Sequence, residues 1–402
     1  MADFVAKENV EAEIPFEEQK HTDFILTLYQ QTTSFEQLMM EHLRMSAVYW
    51  GLAGLATMGK DNVEGINKPE LVEWVLSCQH DGGGFGGNTD QDPHMLYTLS
   101  AVQILALCGA LDQVDGDKVA GYIASLQQPD GSFWGDKWGE VDTRFSYCAL
   151  SCLALLGRLR TAEGVDVDAA AEFVGRCRNF DGGYGCVPGA ESHAGQVFTC
   201  VGALSIAHRL DLCDTELLGW WLSERQCDAG GLNGRPEKQA DVCYSWWILS
   251  ALSILGKVSW INTDRLCDFI LKCQDREDGG VSDRPGSGRT CSTRSSGGRP
   301  SLLGWEGFPR TPRHVLRRRR RRRGGGGRGG GGGAAAALPR PPRDRPRVRA
   351  AGGPGRGARP AGPDPAAKLQ MKMIMFTSFI LLCIRAVASF ITTARLLYTH
   401  GR

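Results

Sequence analysis

Basic residues are scarce over most of this 402-residue chain: residues 1–286 carry 21 Lys and Arg against 42 Asp and Glu. A body that binds nucleic acid by simple charge attraction is excluded there, because a polyanion would be repelled. The N-terminus, Met1 to Gln19, lacks both the basic segment and the apolar core of a secretory leader, so the expected compartment is the cytosol. A disulfide framework is also missing. Of 14 cysteines, 12 precede residue 287, mostly in apolar runs such as Leu107-Cys108 and Tyr147-Cys148-Ala-Leu-Ser-Cys152. These read as small buried hydrophobes in a reducing compartment. Apolar residues are not lacking: Leu, Ile, Val and Trp are ample for a core, which excludes disorder throughout.

A Gly-rich element followed by an apolar run occurs five times: Asp81-Gly-Gly-Gly-Phe85, Asp130-Gly-Ser-Phe133, Asp181-Gly-Gly-Tyr184, Ala229-Gly-Gly-Leu232 and Asp278-Gly-Gly-Val281. The last residues follow one another at steps of 48, 51, 48 and 49. Ahead of each turn stands an amphipathic segment at helical spacing, such as Leu71, Val72, Val75, Leu76 or Leu217, Leu218, Trp221, Leu222. These predict outer helices. Behind the turns lie more continuously apolar runs, Leu96 to Gly109, Phe145 to Gly157, Phe198 to Ala207 and Tyr244 to Gly256, which predict inner helices buried on both flanks. Arg44 to Gly59 adds another, with Thr22 to Leu28 as its outer partner. Helix pairs at this period either stack as an open solenoid or close into an α/α barrel. Trp50, Tyr97, Phe145, Tyr147, Trp246 and Trp247 all fall on inner runs and favour closure around a lined cavity.

Polar residues recur where the inner helices begin: Asp92-Pro-His94, Asp142-Thr-Arg144, Glu191-Ser-His193 and Asp241-Val-Cys243, their last members at steps of 50, 49 and 50. In a barrel they ring one mouth, together with helix N-termini that suit an anion. Gly234-Arg235-Pro-Glu-Lys238-Gln-Ala-Asp241-Val-Cys243-Tyr244 gathers two cations, a carboxylate, a thiol and a phenol. Residues two apart do not share a helix face, so Asp241 and Cys243 converge on one ion only if Asp241 lies just ahead of the first turn. Cys plus Asp, completed by His, suits zinc with an open position. The competing reading makes Asp241 a helix cap and Cys243 a buried thiol.

Several long motifs carry a resemblance: Leu43-Arg-Met-Ser46-x-x-Tyr49-Trp50-Gly, Asp92-Pro-His94-x-Leu-Tyr97, Trp138-Gly-Glu-x-Asp142-Thr-Arg144, Glu191-Ser-His193-Ala194-Gly195-Gln and Gly231-Leu-Asn-Gly-Arg235 through Trp246-Trp247. From about Asp23 to Gly286 the chain resembles the β subunits of protein prenyltransferases, above all those that geranylgeranylate Rab proteins. The resemblance implies an all-α, α/α barrel (toroid) of six helical hairpins and a zinc-dependent transferase. Asp241 and Cys243 would be two of three zinc ligands, the substrate's cysteine sulfur taking the open position, and Tyr244 would act beside them. His193, Arg235, Lys238 and Tyr244 match diphosphate-binding positions. Ala194, Gly195, Ser245, Trp246 and Trp247 match lipid contacts, and small Ser46 leaves room for a long isoprenoid. Arg144, Trp50 and Tyr97 join the expected substrate surface. The implied partners are an α subunit, a Rab protein presented by an escort protein, and geranylgeranyl diphosphate; no nucleic acid is expected for the barrel.

The pattern breaks after Gly286. The resemblance implies that a sixth inner helix would follow, opened by Asp-x-x-His with its His as the third zinc ligand, but the chain reads Ser287-Gly-Arg-Thr-Cys291-Ser-Thr-Arg294. The sixth hairpin is therefore expected to be incomplete, and neither Cys291 nor His314 has the motif around it. Residues 287–370 hold 21 basic against 3 acidic residues, with seven arginines from Arg317 to Arg323, and predict a disordered basic tail. That tail reads either as a patch for RNA, nuclear import or acidic lipids or as an alternative end on a truncated, inactive subunit. Residues 371–402 suggest an apolar helix, but Met373 to Ile384 is short of a span and Arg385 follows, so membrane contact is a weak expectation. The expected organisation is a flexible stretch 1–20, a barrel 21–286, and segments 287–370 and 371–402. Terpenoid cyclases also carry Gln-rich turns like Gln127-Gln-Pro-Asp130-Gly-Ser-Phe133, but they need Asp-x-Asp-Asp, and Asp90-Gln-Asp92 is the nearest approach.

Overall fold

Asn or Asp side chains open the outer helices one after another. Asn67, Asp115, Asp166, Asp214 and Asn262 each accept a hydrogen bond from a backbone N–H of the first turn. The structure, a computed structural model, describes residues 14–30, 41–60 and 62–286. In it the helices are α1 (Glu18–Gln30), α2 (Arg44–Thr57), α3 (Lys68–Ser77), α4 (Met95–Cys108), α5 (Gly116–Leu126), α6 (Thr143–Leu155), α7 (Val167–Arg176), α8 (Ala194–Ile206), α9 (Thr215–Ser223), α10 (Cys243–Ile254) and α11 (Thr263–Lys272). Odd-numbered helices form the outer ring and even-numbered ones the inner ring. The described residues thus hold five inner helices. Apart from α2, the inner helices start one to four residues before the apolar runs do, directly after the polar residues at 94, 142, 193 and 241–242.

Each Gly turn is pinned by a bridge between its two ends, Gln79 to Phe85, Gln127 to Phe133, Arg178 to Tyr184, Gln226 to Leu232 and Gln274 to Val281. Phe85, Phe133, Tyr184 and Leu232 are wholly buried there and plug each turn into the core. The turn glycines also join neighbouring hairpins. A Cβ on Gly83, Gly131 or Gly230 would lie 2.1 to 2.3 Å from the carbonyl oxygen of Lys118, Ala169 or Arg265, in the first turn of the next outer helix. Their φ values of 86 to 97° independently favour glycine.

The fifth turn does the same to the first helix: a Cβ on Gly279 would stand 2.2 Å from the carbonyl oxygen of Lys20 on α1. Around that contact, the Glu17 N–H donates to Gln274 Oε1 at 2.9 Å and the Gly280 N–H to His21 Nδ1 at 3.0 Å. The outer ring closes head to tail. Helix α1 begins at Glu18, inside the stretch expected to be flexible, because this closure orders it.

Consecutive inner helices pack on one another from α2 to α10. In α6 and α8 nearly every residue is buried, whereas α2 buries only Met45, Ser46, Leu55 and Thr57. Helix α2 begins the inner ring, packs along α4 and reaches α10 through the Trp50 and Trp247 rings. The described cysteines are free thiols, seven of them buried, and burial pushes those of Cys78, Cys177 and Cys273 up to about 11 to 12. Among the described residues no helix is long and apolar enough to cross a membrane. The expected basic tail, the apolar segment 371–402, Cys291 and His314 lie outside the described residues.

Candidate functional site

At one mouth of the barrel four side chains accept from a backbone N–H two residues ahead, three of them as caps of α4, α6 and α8 and Asp241 from just before α10. His94 Nδ1 accepts from the Leu96 N–H at 3.1 Å, Asp142 Oδ1 from Arg144 at 2.8 Å, His193 Nδ1 from Gly195 at 3.2 Å and Asp241 Oδ1 from Cys243 at 2.9 Å. The polar register therefore has a local structural use as well as a shared location. Capping through Nδ1 fixes the His193 tautomer with its proton on Nε2, which faces the Tyr244 hydroxyl at 3.2 Å. Burial, then the Arg235 charge, lowers the His193 pKa to about 4, so the imidazole is neutral at pH 7. Burial, then Cys243 and Asp241, raises the Tyr244 phenol to about 12 and keeps it a donor.

Arg235 stands on the loop ahead of α10 and is ion-paired to Glu191. Gly234 brings that loop close, its carbonyl accepting from the Ala194 N–H at 2.8 Å and its α-carbon lying against the Tyr244 ring. Arg144 is nearly buried and paired with Asp142 at 3.0 Å. His193, Arg235, Tyr244 and Arg144 thus share one electrostatic neighbourhood. Lys238 is exposed on the same loop, anchored by its carbonyl to Asn233 Nδ2 at 2.9 Å. Ala194 and Gly195 are buried in the first turn of α8.

Asp241 lies just ahead of α10 and Cys243 is its first residue, the arrangement that convergence on one ion requires. Burial, then the charge of Asp241 and a hydrogen bond to it, then Asp283, push the Cys243 thiol far up. Burial and Asp241 likewise raise the carboxyl of Asp283, whose backbone oxygen accepts from the Val242 N–H at 2.8 Å. A thiol crowded by two carboxylates is relieved by a divalent cation, and thiolate plus carboxylate is a donor set zinc accepts. Asp241 and Cys243 fit such an ion as two of its ligands. Among the described residues no group of three or more His, Cys, Asp or Glu is gathered to hold a metal.

Behind the mouth the inner helices carry a belt of rings. Tyr147 meets Phe198 at 5.2 Å between centroids, Phe198 meets Trp247 at 5.0 Å, and Trp247 meets Trp50 edge-on at 6.0 Å. Trp246 lies 6.4 Å from Phe198, and Tyr97 lies 5.7 Å from the His94 ring. Phe198 was not among the residues expected from sequence to meet substrate, yet it joins three of these rings. Its signal was available: Tyr97, Tyr147, Phe198 and Trp247 follow at steps of 50, 51 and 49. Gly202 makes room for Tyr147, since a Cβ there would be 2.8 Å from the Tyr147 ring. On α2 and α4 the small Ser46 and Ser100 face each other with hydroxyls 3.5 Å apart, and Ser245 on α10 is buried.

A ring of helical hairpins around an aromatic interior, with cations and a Cys/Asp pair at the mouth, is the form of a prenyltransferase toroid. A family model described as the prenyltransferase alpha-alpha toroid domain matches residues 16–291, and the chain belongs to that family. Within it, the chain is similar to the geranylgeranyl transferase type-2 subunit beta of Saccharomyces cerevisiae, at 52% identity over 66% of this chain and 83% of that one. It is similar to the Arabidopsis thaliana type-2 subunit beta 1 at 53% over 65% and 79%. The protein farnesyltransferase subunit beta of Schizosaccharomyces pombe stands at 30% identity over 67% and 73%. The fold is that of a solved Candida albicans protein geranylgeranyltransferase-I complexed with GGPP, with a TM-score of 0.58 at 21% identity, covering 67% of this chain and 86% of that one.

Proposed function

We propose that the chain is the catalytic β subunit of a Rab geranylgeranyltransferase, moving a geranylgeranyl group from its diphosphate to C-terminal cysteines of Rab proteins. The observation that carries this is the adjacency of an anion-binding set, His193, Arg235 and Tyr244, to the Asp241–Cys243 pair at the head of an aromatic-lined interior. An α subunit would complete the enzyme and an escort protein would present the Rab acceptor. A reducing compartment such as the cytosol suits the free thiols.

The aromatic belt from Tyr147 to Trp50 would take the isoprenoid by apolar burial. Ala194 and Gly195 at the head of α8, with Ser245, Trp246 and Trp247 on α10, would border its path, as would Tyr97. In transfer, the acceptor sulfur forms a bond to the first carbon of the lipid as that carbon's bond to oxygen breaks. The diphosphate leaves with the bonding pair, and the thiol proton goes to solvent. Arg235 and Lys238 supply positive charge to the departing oxygens. Neutral His193 donates Nε2–H to the Tyr244 oxygen, which leaves the phenol O–H to donate to the diphosphate. Arg144, held by Asp142, adds a fixed charge behind them. Asp241 and Cys243 would hold a zinc ion, which would keep an acceptor thiol ionised near neutral pH.

A second reading, a subunit that binds its partner or lipid without turnover, is favoured by the incomplete donor set among the described residues. One experiment separates the two: zinc content and geranylgeranyl transfer measured on the same full-length chain co-expressed with an α subunit, with Cys243→Ser as the blank. About one zinc per chain, lost in the variant together with transfer, is the expected result. Zinc at the level of the blank and no transfer would leave the non-catalytic reading.

A further inference from the structure

Glu191 has no part in the transfer just described, yet its carboxylate is the ion-pair partner of Arg235. Its backbone sits on a pinned segment: Ser192 Oγ donates to Asp181 at 2.8 Å and accepts from Asn179 Nδ2 at 2.9 Å, and the His193 N–H donates to the Tyr184 carbonyl at 3.1 Å. From that fixed base the side chain reaches out, 64% exposed against 34% for Arg235. Another carboxylate beside this site is differently employed. Asp142, which holds Arg144, is buried and caps α6, so it cannot leave without opening the helix. Glu191 caps no helix and is paired with one cation among the described residues. A carboxylate oxygen on a guanidinium occupies the donors that a phosphate oxygen would use.

We propose that Glu191 is a displaceable stand-in for the diphosphate: it holds Arg235 in the ligand-free protein, yields it when the lipid diphosphate arrives, and recaptures it when inorganic diphosphate leaves. This rests on the reading of Arg235 as a diphosphate ligand. Glu191 is accordingly a positioning residue that weakens binding and speeds release. An ion pair this exposed has modest strength, so the effect to expect is about two- to fivefold.

The test is calorimetric binding of inorganic pyrophosphate to the full chain co-expressed with an α subunit, for wild type, Glu191→Gln, Glu191→Asp, Arg235→Ala and the Glu191→Gln/Arg235→Ala double variant. Glu191→Gln is expected to bind two- to fivefold tighter, and in turnover to lower KM for geranylgeranyl diphosphate and kcat together. Glu191→Asp keeps the charge but not the reach and should move part of the way. In the Arg235→Ala background the Glu191→Gln gain should vanish. If Arg235→Ala weakens pyrophosphate binding while Glu191→Gln leaves it unchanged, or the gain survives in the double variant, the stand-in role is overturned and the diphosphate site stands. If Glu191→Asp binds as wild type does, general charge repulsion replaces displacement. If Arg235→Ala binds pyrophosphate as well as wild type, the diphosphate reading of Arg235 fails first and this proposal falls with it.

Discussion

Gly279 lies against the carbonyl oxygen of Lys20, so close that a Cβ at 279 would stand 2.2 Å from it, and this contact closes the outer ring across 259 positions of the chain. Gly279→Ala meets both a backbone atom that cannot swing aside and a φ of +79°. Gly109, the C-cap of α4, has a φ of +70° and open space around it. Urea denaturation should therefore separate the two. Gly109→Ala is expected to cost about 1 kcal/mol, and Gly279→Ala on the order of 3 kcal/mol or more. Equal losses would mean that the closure contact carries no stability.

Ser46 and Ser100 are the small residues where α2 meets α4, and neighbouring aromatics fill the interior elsewhere. Filling that space with Ser46→Phe should shorten the isoprenoid the interior accepts. Competition between geranylgeranyl and farnesyl diphosphates is expected to shift toward farnesyl by about tenfold, the order of one to two kcal/mol that one or two methylenes contribute. An unchanged ratio would remove Ser46 from the length determinants.

Phe198 is 3% exposed and touches Tyr147, Trp246 and Trp247. Phe198→Ala should cost about 3–5 kcal/mol through the cavity left among those rings. Phe198→Leu, which keeps most of the volume, should recover the greater part of that stability. Fluorescence-detected unfolding would also report the changed tryptophan surroundings.

The His193 pKa of about 4 lies below the ordinary value of 6.5, so the folded protein takes up this proton less readily than the unfolded chain. Its contribution, on the order of 2–3 kcal/mol, is whole above pH 6.5 and is lost as the pH falls from 6.5 toward 4. Asn also caps helices but does not titrate there. His193→Asn is thus expected to flatten the fall in stability between pH 6.5 and 4 relative to wild type. A variant with the wild-type slope would show that another group carries it.

Much of this molecule is written in short stretches of chain. Asp166 caps α7 by reaching three residues ahead, Phe133 plugs its turn six residues beyond Gln127, and Asp241 stands two residues from Cys243. Each depends only on neighbours in sequence, so caps, turns and their fifty-residue period are visible before any fold is known. The hairpin repeat, the helices it alternates and the place of His193 at the head of an inner helix follow from that period. Closure of the ring was decided elsewhere. Whether Gly279 meets Lys20 depends on small rotations accumulated over every hairpin between them, and no local pattern records their sum. The same holds for Glu191 on Arg235, 44 residues away. Such contacts form only when packing brings remote surfaces together, because side-chain attraction acts over a few ångströms while the chain between the partners is free to take many paths.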